Sequence, residues 1–168
     1  MLAGMNDTGE NEGELEVRRA VHADLEQAAA LASRLVHQHH AVDPRRFFLP
    51  ENVERGYVYW LGRELGRRGA VVLVAAAGDR VVGYSYGTLE DRNWNALLDR
   101  HGAIHDIFVL DGARRRGTGA KLMAAMVREL EALGAERIVL STMVSNAAAQ
   151  RLFEHAGFRP TMLEMTRG

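Results

Sequence analysis

The chain has 168 residues, of which 47% are hydrophobic and 26% are charged, with a formal net charge of −1 and no cysteine. This length and balance predict one globular domain of ordinary size with a core of its own. The lack of cysteine excludes disulfides, thiolate nucleophiles and cysteine-ligated metal sites. The near-zero net charge argues against a general nucleic-acid-binding protein.

The first 13 residues differ in composition from the rest. They are rich in Asn, Asp, Glu and Gly, which predicts a flexible tail over residues 1–13 and a folded domain over residues 14–168. The tail lacks the basic region and apolar run of a secretory signal. The most hydrophobic stretch, residues 70–77, is too short to span a bilayer. We therefore expect a cytoplasmic protein that binds neither membrane nor nucleic acid.

The domain begins with a predicted strand followed by two helices. Leu15 and Val17 alternate with charged residues, as in a half-buried strand. Apolar residues at helical spacing predict a helix over residues 24–40, which ends before a turn at residues 43–44. The same spacing predicts a second helix over residues 51–67, closed by glycine.

A hairpin follows. Residues 70–77 and 80–90 are apolar runs typical of strands, and the Gly-Asp pair at residues 78–79 between them favours a tight turn. Alternation along the second strand is expected to place three side chains on one face: Val82, Tyr84 and Tyr86.

The second half alternates strands and helices, which implies at least one pair of neighbouring parallel strands. An irregular segment comes first. The predicted elements are then a strand over residues 103–110, a helix from Gly117 to Gly134, a strand over residues 137–143, a helix over residues 146–155 and a last strand over residues 158–165. The fold class is α/β or α+β, with a mixed sheet.

The most informative segment lies between the strand at residues 103–110 and the helix that follows. It contains the motif Arg114-x-x-Gly117-x-Gly119 within a run of three arginines. Glycines at such a turn allow a ligand close to the backbone, and the free amides of the first helical turn favour an anion such as phosphate. A P-loop requires lysine where Thr118 stands, and a dinucleotide loop requires glycine or alanine where Leu122 stands. Both alternatives fail on these residues.

The segment resembles the coenzyme A loop of the GNAT acetyltransferase superfamily. The matching residues are Ile107-x-Val109, then Arg114-x-x-Gly117-x-Gly119, and farther along Asn146 and the block Leu152-Phe153-Glu154-x-x-Gly157-Phe158. The resemblance covers about residues 15–167. It implies a GNAT-like mixed central sheet of about six to seven strands flanked by about four helices, with acetyl-CoA as co-substrate and no metal.

By this resemblance, the backbone amides at the start of the helix would hold the pyrophosphate of acetyl-CoA. The backbone of Ile107 and Val109 would pair with the pantetheine arm, and an amide near Val109 would polarise the thioester carbonyl. Asn146 would contact the pantetheine, although a plain helix N-cap explains it equally well. The implied coenzyme-binding set is Ile107, Val109, Arg114, Arg115, Arg116, Gly117, Thr118, Gly119, Ala120, Asn146 and Phe153.

The resemblance implies direct acetyl transfer to an amine without a covalent intermediate. An alkylamine has a pKa of about 10.4, so only about one molecule in 10³ is neutral at pH 7 and a base is needed. His105 is the first candidate, because strand parity places it on the face of Ile107 and Val109. Asp106 has the opposite parity unless a bulge intervenes, and a purely packing role for His105 is the alternative.

Two further groups complete the catalytic candidates. Glu90, at the end of the adjacent strand, is a carboxylate able to act through water. Phe153 stands where many relatives carry a tyrosine that protonates the leaving thiolate. Either Tyr84 or Tyr86 would serve instead, or the thiolate would leave unprotonated. The predicted catalytic set is therefore His105, Glu90 and Tyr84.

The loop between the first two helices often shapes the acceptor pocket in this superfamily, which nominates His39, His40, Asp43 and Phe47 as substrate-binding residues. A metal site built on the same histidines is disfavoured, since a solvated helix end explains them better. The predicted function is N-acetylation of a primary amine by a monomer or homodimer, with a small molecule favoured over a protein as the acceptor. The alternative is a catalytically silent acyl-CoA-binding module, and a kinase or NTPase is a distant third.

Overall fold

Five strands form one mixed sheet in a computed structural model that describes residues 14–167. Neighbouring strands are antiparallel except for the last pair, which is parallel as the sequence predicts. The strands are β1 (Leu15–Arg19), β2 (Ala70–Ala77), β3 (Arg80–Glu90), β4 (His101–Val109) and β5 (Ile138–Leu140), in that spatial order. The helices are α1 (Leu25–Val42), α2 (Val53–Leu65), α3 (Thr118–Ala132) and α4 (Ala147–His155). The predicted tail at residues 1–13 lies outside the described residues.

The sheet is covered on both faces, which explains the unbroken apolar run of β2. Val72 and Val74 point toward α1 and α2, whereas Val71 and Leu73 point toward α3. Each face therefore has its own core cluster, and the mixed α/β class is confirmed.

α3 packs directly over a glycine of β3, where there is no room for a side chain. A Cβ atom at Gly87 would come within 2.8 Å of the Met126 sulfur and 3.0 Å of the Ala103 carbonyl oxygen. This close packing fixes α3 against the sheet and so fixes the position of its N-terminus, where the glycine-containing loop ends.

The parity prediction for β3 is wrong at one position. The pairing of β2 with β3 shifts between Ala75 and Ala76, which leaves Val82 as an extra residue. Val82 consequently packs on the α3 side, whereas Tyr84 and Tyr86 pack on the side of α1 and α2. A bulge reverses the alternation on which the prediction depended.

The predicted last strand over residues 158–165 is also wrong, and the sheet has five strands rather than six to seven. This segment joins no ladder within the described chain. Its apolar side chains are left in solvent, with Met162 91% and Met165 83% exposed. The segment touches the loop after α1 through an ion pair between Glu164 and Arg46. β5 is likewise shorter than the predicted strand over residues 137–143. Across residues 14–167, no helix combines the length and apolarity needed to cross a membrane.

Candidate active site

The site is built around a gap between β4 and β5. The two strands pair only over Gly102–Ile104 and Ile138–Leu140, and beyond this point β4 pairs with β3 alone in the described part of the chain. The Leu110 amide donates to the Val82 carbonyl at 2.9 Å, so alternate backbone groups of β4 face β3. The intervening groups, those of Ile107 and Val109, therefore face the gap. These are the two residues whose backbone the sequence assigns to the pantetheine arm.

The glycine-containing loop ends at the N-terminus of α3. Arg115 and Gly117 adopt left-handed backbone conformations, with φ of 62° and 79°. The first helical hydrogen bond runs from the Lys121 amide to the Gly117 carbonyl at 2.9 Å. The amides of residues 118–120 precede that bond, so they and the positive end of the helix dipole are available to an anion.

Two side chains of the motif brace the loop. Arg114 donates from Nε to the Val109 carbonyl at 2.9 Å and pairs with Asp111 at 2.6 Å. Thr118 is 1% exposed, and its hydroxyl donates to the Ala113 carbonyl at 2.9 Å. Arg114 and Thr118 thus hold the turn that presents the amides, which is a role the sequence analysis did not assign. Direct coenzyme contacts by these side chains and by Arg116 remain predictions.

The second motif block packs against the start of α3. The Asn146 side chain accepts a hydrogen bond from the Ala149 amide at 3.1 Å, which confirms the N-cap interpretation. Phe153 is buried in the α3-side core, edge-on to Phe158 with ring centroids 6.4 Å apart. Gly119 allows α4 to approach, since a Cβ there would lie 3.3 Å from the Leu152 side chain. Coenzyme contacts by Asn146 and Phe153 remain predictions.

The parity prediction for His105 is wrong. The register of β3 with β4 shifts so that Tyr86 pairs with Asp106 and Gly87 pairs with Ile104, which makes His105 the extra residue of a bulge. The Ser85 hydroxyl, on β3, donates to the Asp106 carbonyl at 2.8 Å and so holds the bulge. His105 therefore leaves the face of Ile107 and Val109. It stacks on Tyr86 instead, with centroids 5.2 Å apart, on the same side as Asp106.

The structure brings His105 and Glu90 together, as expected, and adds Thr88. His105 Nε2 lies 2.8 Å from the Thr88 hydroxyl and 3.2 Å from a Glu90 carboxylate oxygen. The Thr88 hydroxyl donates its one proton to Glu90 at 3.0 Å. Because both oxygens around Nε2 then act as acceptors, Nε2 carries the proton in neutral His105. Its Nδ1 atom is left as the proton acceptor.

Tyr84 and Asp106 form a second polar pair below the histidine. Tyr84 has no exposed surface, and its hydroxyl donates to Asp106 at 2.8 Å. Burial raises the pKa of Tyr84 well above its ordinary value. Burial also raises the pKa of Asp106, although the Tyr84 hydrogen bond and the nearby His105 and His39 partly oppose this. A catalytic role for Tyr84 remains a prediction, and its proton is engaged by Asp106.

His105 and Asp106 open into a cleft of about 310 Å³ between α2 and the sheet. On its floor, Tyr86 donates to the buried carboxylate of Glu64 at 2.5 Å, and Arg67 pairs with the same carboxylate at 2.7 Å. The lining residues are Tyr57, Trp60, Arg67, Tyr86, Thr88, Glu90, His105 and Asp106. Four of these residues were not predicted from the sequence: Tyr57, Trp60, Arg67 and Thr88. The signal available for Thr88 was its spacing of two from Glu90.

The four predicted acceptor residues form one cluster at the end of α1. His40 donates from Nδ1 to the Phe47 carbonyl at 2.8 Å, and the His39 ring lies edge-on to Phe47 at 4.9 Å. Asp43 accepts from the Arg45 amide at 3.1 Å, which closes the turn. Among residues 14–167, no group of three histidines or carboxylates is arranged to hold a metal.

The mixed sheet opens beside the N-terminus of α3, and a cleft that contains a histidine and carboxylates lies next to this opening. This arrangement is the one expected of the acyl-group transferases that the motifs indicate. The chain belongs to the acetyltransferase (GNAT) family, whose sequence profile matches residues 33–158. It is therefore an acyltransferase of the N-acetyltransferase type.

The relatives agree with this assignment. An N-alpha-acetyltransferase of Sulfurisphaera tokodaii is 31% identical over 132 residues, which cover 76% of this chain and 77% of the relative. An uncharacterized N-acetyltransferase of Bacillus subtilis, YhfO, is 27% identical over 146 residues, covering 86% and 89%. Among solved structures, the aminoglycoside N-acetyltransferase AAC(6')-Iy in complex with CoA has the same fold, with a TM-score of 0.76 at 19% identity over 98% of both chains.

Proposed function

We propose that this chain transfers the acetyl group of acetyl-CoA directly to a primary amine of a small molecule. The observation that carries the proposal is that β4 borders both the gap and the cleft. The gap edge of the strand presents the backbone of Ile107 and Val109, and the face of the strand toward α2 presents the side chains of His105 and Asp106. A thioester bound along the gap would thus meet an amine bound in the cleft across a single strand. The family relative solved with CoA supports the choice of co-substrate.

The residues around the gap fit a molecule with phosphates at one end and amide groups along its arm. The amides of residues 118–120 and the arginines of the loop suit the pyrophosphate. The free backbone groups of Ile107 suit pairing with the arm. The Val109 carbonyl already accepts from Arg114, so the Val109 amide is the group left to stabilise negative charge on the thioester oxygen.

The proton of the incoming amine is assigned to His105. Nδ1 takes it, while Thr88 and Glu90 hold Nε2–H and Glu90 stabilises the resulting imidazolium. The neutral amine then attacks the acetyl carbon, and the C–S bond breaks to release CoA as its thiolate. The second proton of the attacking nitrogen passes to that thiolate, so the products are the amide and CoA thiol. The chain has no cysteine to carry an acetyl group, which suits a ternary complex without a covalent enzyme intermediate.

The cluster at the end of α1 is assigned to acceptor selection. If His39, His40, Asp43 and Phe47 contact the acceptor, then Phe47→Ala should change the order of preference among amines. Phe48→Ala is the matched control, because Phe48 is 80% exposed and is the next residue in the chain. An order that is the same in both variants would remove this cluster from the acceptor site.

The proposal is tested by thiol release from acetyl-CoA in the presence of an amine library. The chain contains no cysteine, so a thiol reagent reports CoA alone. Many turnovers with an amine, and no acetylated protein by intact-mass analysis, are expected. Saturable acetyl-CoA binding without turnover would instead support the silent acyl-CoA-binding module.

A further inference from the structure

The walls of the cleft indicate which amine it accepts. Three aromatic rings and the His105 imidazole follow one another from α2 to β4. Tyr57 meets Trp60 edge-on at 5.5 Å, Trp60 meets Tyr86 edge-on at 4.6 Å, and Tyr86 stacks on His105 at 5.2 Å. Such a wall buries flat or aliphatic carbon surface and attracts a cation to its ring faces.

The charges of the cleft favour a cation and oppose an anion. Arg67 is already neutralised by Glu64, with which it pairs at 2.7 Å. Glu90 and Asp106 remain, and in the described part of the chain neither carboxylate is ion-paired with an arginine or lysine. Two carboxyl groups therefore share the cleft with the His105 imidazole, while His101 lies 3.7 Å from Glu90 and His39 lies near Asp106. Because no unpaired arginine or lysine among residues 14–167 lines the cleft, a bound carboxylate would be repelled.

The size of the cleft restricts the acceptor further. Its volume of about 310 Å³ lies at the lower end of the range for small-molecule sites. A compact ligand can fill it, whereas a longer ligand would extend beyond its rim into solvent.

Resting on the proposed function, we infer that the acceptor is a small organic cation, a primary amine on a compact apolar or aromatic skeleton without a carboxylate. The aromatic wall binds the skeleton, and Glu90 and Asp106 attract the ammonium group to His105. Trp60 is then a specificity-determining residue, because it lies at the centre of the wall and contacts two of the other rings.

The first test compares amines that differ by one group. 2-Phenylethylamine should exceed L-phenylalanine, which adds only a carboxylate, and ethylamine, which lacks the ring, by at least about ten-fold in kcat/KM. Glucosamine and a tripeptide with a free α-amine complete the panel. If L-phenylalanine, glucosamine or the tripeptide is preferred, the acceptor class is wrong while the acetyltransferase stands. If no amine releases CoA, the proposed function fails as well.

The second test uses Trp60→Leu. This variant should reduce the preference for 2-phenylethylamine over ethylamine by about five-fold or more. Trp94→Leu should leave that preference unchanged, because Trp94 is 73% exposed and does not line the cleft. Equal preferences in the two variants would overturn the role of Trp60.

A binding measurement keeps the inference testable if Trp60→Leu does not fold. The chain has two tryptophans, so Trp94→Phe leaves Trp60 as the one tryptophan whose emission is observed. Titration with 2-phenylethylamine should change this emission saturably, and L-phenylalanine should not. An emission that responds to neither amine, or equally to both, contradicts the inferred site.

Discussion

The hydroxyl of Tyr84 offers a sharp test of the polar pair beneath His105. Tyr84→Phe deletes one oxygen from a side chain with no exposed surface, and that oxygen donates to Asp106 at 2.8 Å. A hydrogen bond to a carboxylate contributes about 1.5–3 kcal/mol. We expect the free energy of unfolding to fall by about 2 kcal/mol at neutral or alkaline pH. In a chain of this size each kcal/mol shifts Tm by about 2–4 °C, so Tm should fall by about 4–8 °C.

The loss should depend on pH in a defined direction. Burial raises the pKa of Asp106 above its unfolded value, and the Tyr84 hydrogen bond opposes that rise. A carboxyl group with a raised folded pKa costs stability as pH increases from its unfolded pKa to its folded pKa. Without the Tyr84 hydroxyl that cost is greater. The Tm difference between wild type and variant should therefore be larger at about pH 8 than in acid, below the raised pKa of Asp106.

Tyr59→Phe is the matched control, since it deletes the same atom from a ring that is 70% exposed. Its unfolding free energy should stay within about 0.5 kcal/mol of wild type. Equal Tm values for the two variants at about pH 8 would refute the reasoning. The same proteins also test Tyr84 as the acid for the leaving thiolate. A kcat loss of about 10²–10⁴-fold would support that role, whereas a positioning role through Asp106 predicts a loss of about ten-fold or less.

Three further predictions concern the base and the loop. His105→Ala should lower kcat by about 10²-fold or more and change the pH–rate profile. Unchanged kinetics across about pH 6–9 would remove His105 from the mechanism. Thr88→Val should lower kcat by about five-fold or more and leave the KM for acetyl-CoA unchanged, because Nε2 of His105 loses a hydrogen-bond acceptor. Thr88→Ser should restore kcat. If it does not, the defect of Thr88→Val is one of packing. Gly117→Ala and Gly134→Ala should each cost about 1–2 kcal/mol of stability, because φ is +79° and +95° with open space around both. Only Gly117→Ala should also raise the KM for acetyl-CoA, and an equal rise in Gly134→Ala would argue against a coenzyme role for the α3 amides.

The helices, the hairpin and the turn at Gly117 that begins α3 were predictable because each has a local signal. The turn at Gly117 combines a glycine, a following apolar helix and a preceding strand, and all three are visible within a short stretch of sequence. The cap at Asn146 has the same local character. Such features need only their own neighbours in the chain to form.

The predictions that were wrong concern features that depend on strands or helices elsewhere in the chain. Val82 and His105 leave their predicted faces because β2 and β4 shift register against β3, and no alternation within one strand reveals such a shift. Residues 158–165 have the composition of a strand, but a strand also needs a neighbour to bond with. The cleft escaped prediction for the same reason, because α2 and β3 bring Tyr57, Trp60 and Arg67 together only after folding.

The bulge in β4 places the proposed base, His105, outside the regular pairing of β3 with β4. Without His105, Ile104 and Asp106 would be consecutive residues opposite Gly87 and Tyr86, which are themselves consecutive. The ladder would become regular, and every other side chain of β4 would keep its present face. The proposed base is therefore an inserted residue, and deleting its single codon would leave the coenzyme gap and both cores in register. On the proposed mechanism, a relative that lost this codon would keep the gap and both cores while lacking the imidazole that takes the proton of the amine.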